Sequence, residues 1–150
     1  PTADFHNSEY VGEHFKARAF MSGFTGSAGT LVVTKNFAGL LTDGRYFLQG
    51  EQQLQGTGIE LQRMREPGVP TIAEFIVANT PENGVLGFDG RVVTFGEGKD
   101  LATRLKRKNA TVKYEVDLVD EIWEDRPPLS EAPAFYLNLE RAGESVASKL

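Results

Sequence analysis

Nine residues, Ser22 to Thr30, read Ser-Gly-Phe-Thr-Gly-Ser-Ala-Gly-Thr, and the chain soon continues Asp43-Gly44-Arg45-Tyr46-Phe47. Glycines at 23, 26 and 29 weaken any helix or strand there. They suit a connection in which the backbone takes positive φ or approaches another segment closely. Around this connection, β-type runs at Ala17 to Met21, Thr30 to Thr34 and Ala38 to Thr42, with a turn at Lys35-Asn36, predict an antiparallel meander. Apolar positions then recur at Phe47, Leu48 and Leu54, so Arg45 to Gln55 suits a helix. Asp43 is its N-cap candidate and Gly56 its stop.

The second half alternates periods. Ile59 to Met64, Val85 to Phe88 and Thr111 to Val116 read as strands. Between them, Pro70 to Ala78 reads as a helix with Ile72, Phe75 and Ile76 on one face, and Thr94 to Lys108 as a helix with Leu101 and Leu105 inward. The pattern predicts an α/β fold: a mixed β-sheet, an antiparallel meander plus further strands, flanked by helices. The expected core comprises Phe20, Leu31, Val33, Leu40, Phe47, Leu48, Leu61, Phe75, Ile76, Leu86, Phe88, Leu101, Leu105, Val112 and Trp123. Residues 1–125 are expected to form one domain. Residues 126–150 are expected to be a linker and the start of a following domain, because Asp125 to Pro133 holds three prolines and Glu144 to Leu150 looks like the opening of another helix.

Composition narrows the function classes. A net charge of −5 disfavours non-specific binding to nucleic acid or anionic membrane, so neither is an expected partner. The basic run Arg104, Lys106, Arg107 and Lys108 falls at a helix end, where cations complement the dipole. No cysteine is present, which removes disulfides and thiolate chemistry, and no apolar run is long enough for a signal core or a membrane span. A reducing cytoplasm is the expected compartment.

Catalytic constellations are sparse. His6 and His14 are the only histidines, eight apart with Glu9 and Glu13 nearby, a spacing that does not converge on one metal ion. They read as surface or capping residues, with Asp4 and Glu9 bracketing a short helix from Ser8. The glycine-rich segment lacks the Gly-Lys-Ser/Thr ending of a phosphate loop. It is not a Gly-x-Ser-x-Gly nucleophile elbow either. No catalytic and no metal-binding residue is assigned. Arg45, fixed after a tight Asp-Gly turn and beside two aromatics, can offer its fork of donors to a carboxylate or a peptide carbonyl. Equally, it can pair within the domain, with Asp43, Glu51 or Asp89. Of Tyr46 and Phe47, one is expected in the core and the other exposed.

Four ordered segments, Asp4 to Tyr10, Ser22 to Thr30, Asp43 to Phe47 and Leu118 to Pro127, closely resemble the amino-terminal, creatinase-like domain of Xaa-Pro aminopeptidases (aminopeptidase P). The resemblance covers about Pro1 to Pro128. It implies a creatinase/prolidase-type, ribonuclease H-like fold placed ahead of a pita-bread catalytic domain in a cytoplasmic homodimer. There, two divalent metal ions, usually manganese, held by two Asp, one His and two Glu, activate the water that attacks the bond before proline. None of those ligands falls on this chain, so the cofactor and the chemistry are expected downstream. The resemblance gives Arg45 a part in holding the proline-containing peptide, with Tyr46 next to it as a further candidate for substrate binding, and implies for this domain a part in substrate access and oligomer contacts. A Xaa-Pro dipeptidase, a creatinase or a stand-alone interaction module are the alternatives. Such domains usually carry a helix and a strand ahead of Pro1, so an unpaired sheet edge is also expected.

Overall fold

A computed structural model describes all 150 residues, Pro1–Leu150. A short helix, α1, spans Ala17–Ser22, where the sequence suggested a strand. The alternation there covers too few residues to outweigh the helix-forming Ala, Arg and Met. Gly23, at φ 71°, closes the helix as a left-handed cap. The expected meander is therefore a hairpin, β1 (Thr30–Val33) antiparallel to β2 (Ala38–Thr42), with Leu31 opposite Leu40. The helix expected from Ser8 does not form either. Asp4 instead accepts from the backbone N–H groups of His6 and Ser8, both at 2.9 Å, which folds the segment into a turn.

One 3₁₀ turn, Gly44–Tyr46, leads from β2 into α2 (Phe47–Leu54), and the chain returns as β3 (Glu60–Arg63), parallel to β2. The crossover helix explains the parallel pairing. Gly50 lets α2 lie close on the sheet: a Cβ there would stand 2.9 Å from Leu61 Cδ1. Helix α3 (Ile72–Asn79) and helix α4 (Phe95–Leu105) each open on a complete capping box, Thr71 with Glu74 and Thr94 with Glu97. Strands β4 (Val85–Gly87) and β5 (Thr111–Lys113) form a separate parallel pair joined through α4.

The mixed sheet is thus realised as two small sheets, ordered β1-β2-β3 and β4-β5. The free edges of β1 and β4 have no backbone partner. Between them lies a cleft of about 270 Å³ lined by Leu31, Val33, Ile76, Leu86, Phe88 and Leu101. Central β2 is covered on both faces. Leu40 packs with Phe24 and Leu54 on the α2 side, and Gly39 meets the rings of Phe37 and Phe75 on the other.

The core differs from expectation in both directions. Phe20, Val33 and Leu48 are 43%, 58% and 68% exposed, whereas Phe24 and Leu41 are fully buried. Phe20 lies on the outer side of a helix rather than in a strand, and it stacks on Trp123 with ring centroids 4.5 Å apart. Two single-turn helices, α5 (Leu139–Ala142) and α6 (Val146–Lys149), complete the exposed tail. No helix is long and apolar enough to cross a membrane.

Candidate functional site

The Asp-Gly-Arg turn sits at the carboxyl end of β2. Asp43 Oδ1 accepts from the Arg45 backbone N–H at 3.1 Å and from its Nε at 2.9 Å, while Oδ2 accepts from Nη2 at 2.8 Å. That hydrogen-bonded arginine, aided by its charge and that of Arg65, holds the Asp43 carboxyl down at about 2 and raises the Arg45 guanidinium. The pair stays ionised throughout the neutral range. Of the intradomain partners weighed from sequence, Asp43 is the one Arg45 takes, and the arginine side chain remains 68% exposed. It lies over the Tyr46 ring, 5.2 Å from the centroid. Tyr46 and Phe47 are both half-buried rather than divided between core and surface.

The glycine-rich loop fixes Tyr46. The Tyr46 hydroxyl is hydrogen-bonded to Ser27 Oγ at 2.6 Å, and its ring stands edge-on to Phe24. Thr25 is tied to α2 as well: Gln53 accepts from its N–H at 3.0 Å, and the Gln49 and Gln53 amides both donate to its hydroxyl. Beneath the loop, buried Arg18 donates to the Gly26 carbonyl and lies over Phe24, 4.8 Å from the ring centroid. Burial lowers its pKa to about 10, which leaves it a cation at neutral pH. Gly26 has no room for a side chain, since a Cβ would fall 2.4 Å from Phe24 Cζ and 2.8 Å from Tyr46 Cδ1. Gly26→Ala is therefore expected to cost about 1–3 kcal/mol through overpacking. Thermal melting checks this, and an unchanged midpoint would show that the loop yields freely.

Sequence reasoning did not single out Ser27, Gln49, Gln53 or Arg18 as supports for this corner. Polar residues distant in sequence carry no pairing signal of their own. It also passed over a second Asp-Gly-Arg, residues 89–91, whose identity to residues 43–45 was visible in the sequence. Asp89 binds Arg91 in the same way, Oδ1 to N–H and Nε at 2.9 Å each and Oδ2 to Nη2 at 3.0 Å.

Metal chemistry has no donor set here. His6 is exposed, His14 Nδ1 donates to the Pro127 carbonyl at 2.9 Å, and no three His, Asp or Glu side chains converge. The residues of this chain do not fit a dinuclear centre.

The family described as Creatinase/Prolidase N-terminal domain matches residues 13–122. Aminopeptidase P2 of Arabidopsis thaliana is 44% identical over 100% of this chain, which spans 21% of that protein. The X-prolyl aminopeptidase of Caenorhabditis elegans, described as a cytosolic enzyme with a di-nuclear active site, superposes with a TM-score of 0.88 at 36% identity. The match covers 99% of this chain and 24% of that one. The N-terminal domain of the cytoplasmic peptidase PepQ from Mycobacterium tuberculosis H37Rv gives a TM-score of 0.55 at 31% identity, over 71% of this chain and 79% of that one. The chain therefore spans a quarter or less of the aminopeptidases it resembles, and it belongs to the creatinase/prolidase N-terminal domain family.

Proposed function

We propose that this chain is the non-catalytic amino-terminal domain of a Xaa-Pro aminopeptidase, a hydrolase that removes the residue ahead of proline. One observation carries the reading: full-length likeness at 36–44% identity to a small part of such enzymes, in a chain with no convergent metal donors. Residues 1–125 act as the domain, and 126–150, anchored on it through Arg126 and Pro127, as the linker and the start of the next. The two divalent ions, manganese in this reading, belong to the downstream catalytic part, as does the attack on the peptide bond. A cytoplasmic location and a homodimer in which this domain supplies subunit contacts belong to the same reading.

Within it, Arg45 and Tyr46 are the contacts to the proline-containing peptide. A guanidinium held by Asp43 and stacked on a ring that is itself hydrogen-bonded to Ser27 loses little freedom on binding, so it can fix the pose of a peptide for attack elsewhere. In the longer enzyme, Arg45→Ala is expected to lower kcat/KM for a Xaa-Pro peptide about tenfold or more. The melting point of residues 1–150 should hardly change, because an exposed ion pair contributes about 0–1 kcal/mol. Unaltered turnover, or unfolding of the variant domain, would refute the assignment.

A further inference from the structure

The chain carries its own comparison for Arg45. In both Asp-Gly-Arg turns the aspartate grips the arginine by the same three hydrogen bonds, and in both the guanidinium lies over an aromatic ring, Tyr46 for Arg45 and Phe5 for Arg91, at 5.2 and 5.3 Å. The turns differ in what meets the outer edge of the fork. At Arg91, Nη2 also donates to a second carboxylate, Asp117 Oδ2, at 3.3 Å. At Arg45 no second acceptor in the chain reaches the fork.

Charge is distributed in the same sense. Around Arg91, the carboxylates Asp89, Asp117 and Asp120 face Arg91 and Arg126. Around Asp43, Arg45 is joined by Arg65, which acts on the Asp43 carboxylate from the turn after β3 and has no ion-pair partner. Arg63 nearby is already taken by Glu51 and Glu66. The corner at the carboxyl ends of β2 and β3 thus sets Arg45, Arg63 and Arg65 against Asp43, Glu51 and Glu66, and of these carboxylates the Arg45 fork holds Asp43 alone. It is one carboxylate short of the arrangement that the same motif completes at Arg91.

We propose that the outer edge of Arg45 is a binding site for a carboxylate, in the place that Asp117 fills on Arg91. The proposal rests on the reading of Arg45 as an outward contact of this domain and names the chemistry of what it touches. A planar fork already anchored on one side presents its remaining N–H groups in the geometry that carboxylates accept, and a charged acceptor makes the stronger bond to it. Two sources have this chemistry: the carboxyl terminus of a short peptide substrate, and an Asp or Glu side chain of an adjoining domain or subunit.

The test compares the longer enzyme with its Arg45→Ala variant on one Xaa-Pro-Yaa tripeptide supplied as the free acid and as the carboxyl-terminal amide. If the carboxylate is the substrate's, the variant loses about tenfold or more in kcat/KM on the acid and little on the amide. If it belongs to the protein, acid and amide fall together, and the variant lowers the melting point of the longer enzyme but not that of residues 1–150. Equal loss on acid and amide with no change in the melting point would overturn the carboxylate assignment while leaving Arg45 a peptide contact through a neutral group. No loss on either substrate with an unchanged melting point would overturn both this proposal and the reading beneath it.

Discussion

Replacing Arg126 by alanine is expected to lower stability by about 3–5 kcal/mol, a fall in Tm of roughly 10 °C for a domain of this size. Its guanidinium is only 7% exposed and holds together residues far apart in sequence. Nη1 donates to Asp117 at 2.6 Å and to Asp120 at 3.1 Å, Nε donates to the His14 carbonyl at 2.9 Å, and the group lies over Trp123. Truncation would leave the Asp117 side chain, 9% exposed, with Arg91 at 3.3 Å as its one ion-pair partner beside the Val119 N–H, and would free the 117–127 segment from the His14 carbonyl. Arg126→Lys should recover only part of the loss, because one ammonium cannot serve both directions.

The acid limb follows from Asp117. Burial pushes its carboxyl up, but the Arg126 hydrogen bond, backbone donors and the Arg126 charge together hold it below its ordinary 3.8. A depressed carboxylate stabilises the fold fully above that value and loses the contribution as pH falls below it. The extra stability of the wild type over Arg126→Ala should therefore shrink on the acid side of about pH 4. Melting both proteins between pH 3 and pH 7 measures this. A constant difference would assign the effect to the His14 hydrogen bond and the packing on Trp123.

Phe24→Ala is the second large effect, about 3–5 kcal/mol. The side chain is fully buried between Leu40 and Leu54, carries Arg18 on its face and stands against Tyr46. Removing it takes away at once the core of the three-stranded sheet and the floor of the glycine-rich loop. Phe24→Leu keeps most of the volume and should cost about 1.5 kcal/mol or less. Equilibrium denaturation of the two variants checks the order, and equal midpoints would contradict it.

Much of this was legible in the sequence. Positions 38–113 declared themselves because the apolar periods were sustained, and Asp43 and Gly56 bound the α2 region as expected; the capping boxes of Thr71 with Glu74 and Thr94 with Glu97 fix the helix starts that the periods alone left loose. The segment before Thr30 was misread because five residues of Ala-Arg-Ala-Phe-Met alternate like a strand while preferring helix, and only Ser22-Gly23 signalled the cap. That one error moved Phe20 from core to surface and hid Phe24, which follows the cap and turns inward. The Asp43–Arg45 pair was among the partners weighed. The supports of Tyr46 and the latch by Arg126 were not legible, because each joins residues whose proximity depends on the whole fold.

The most direct measurement is hydrolysis of a Xaa-Pro peptide, with manganese supplied, by residues 1–150 alone and by the longer protein that contains them. The account predicts no turnover and no stoichiometric metal binding by the chain alone, and chelator-sensitive removal of the residue before proline by the longer protein. Turnover by residues 1–150 that survives purification and is lost on chelation would contradict it, as would a longer protein that leaves the Xaa-Pro bond intact.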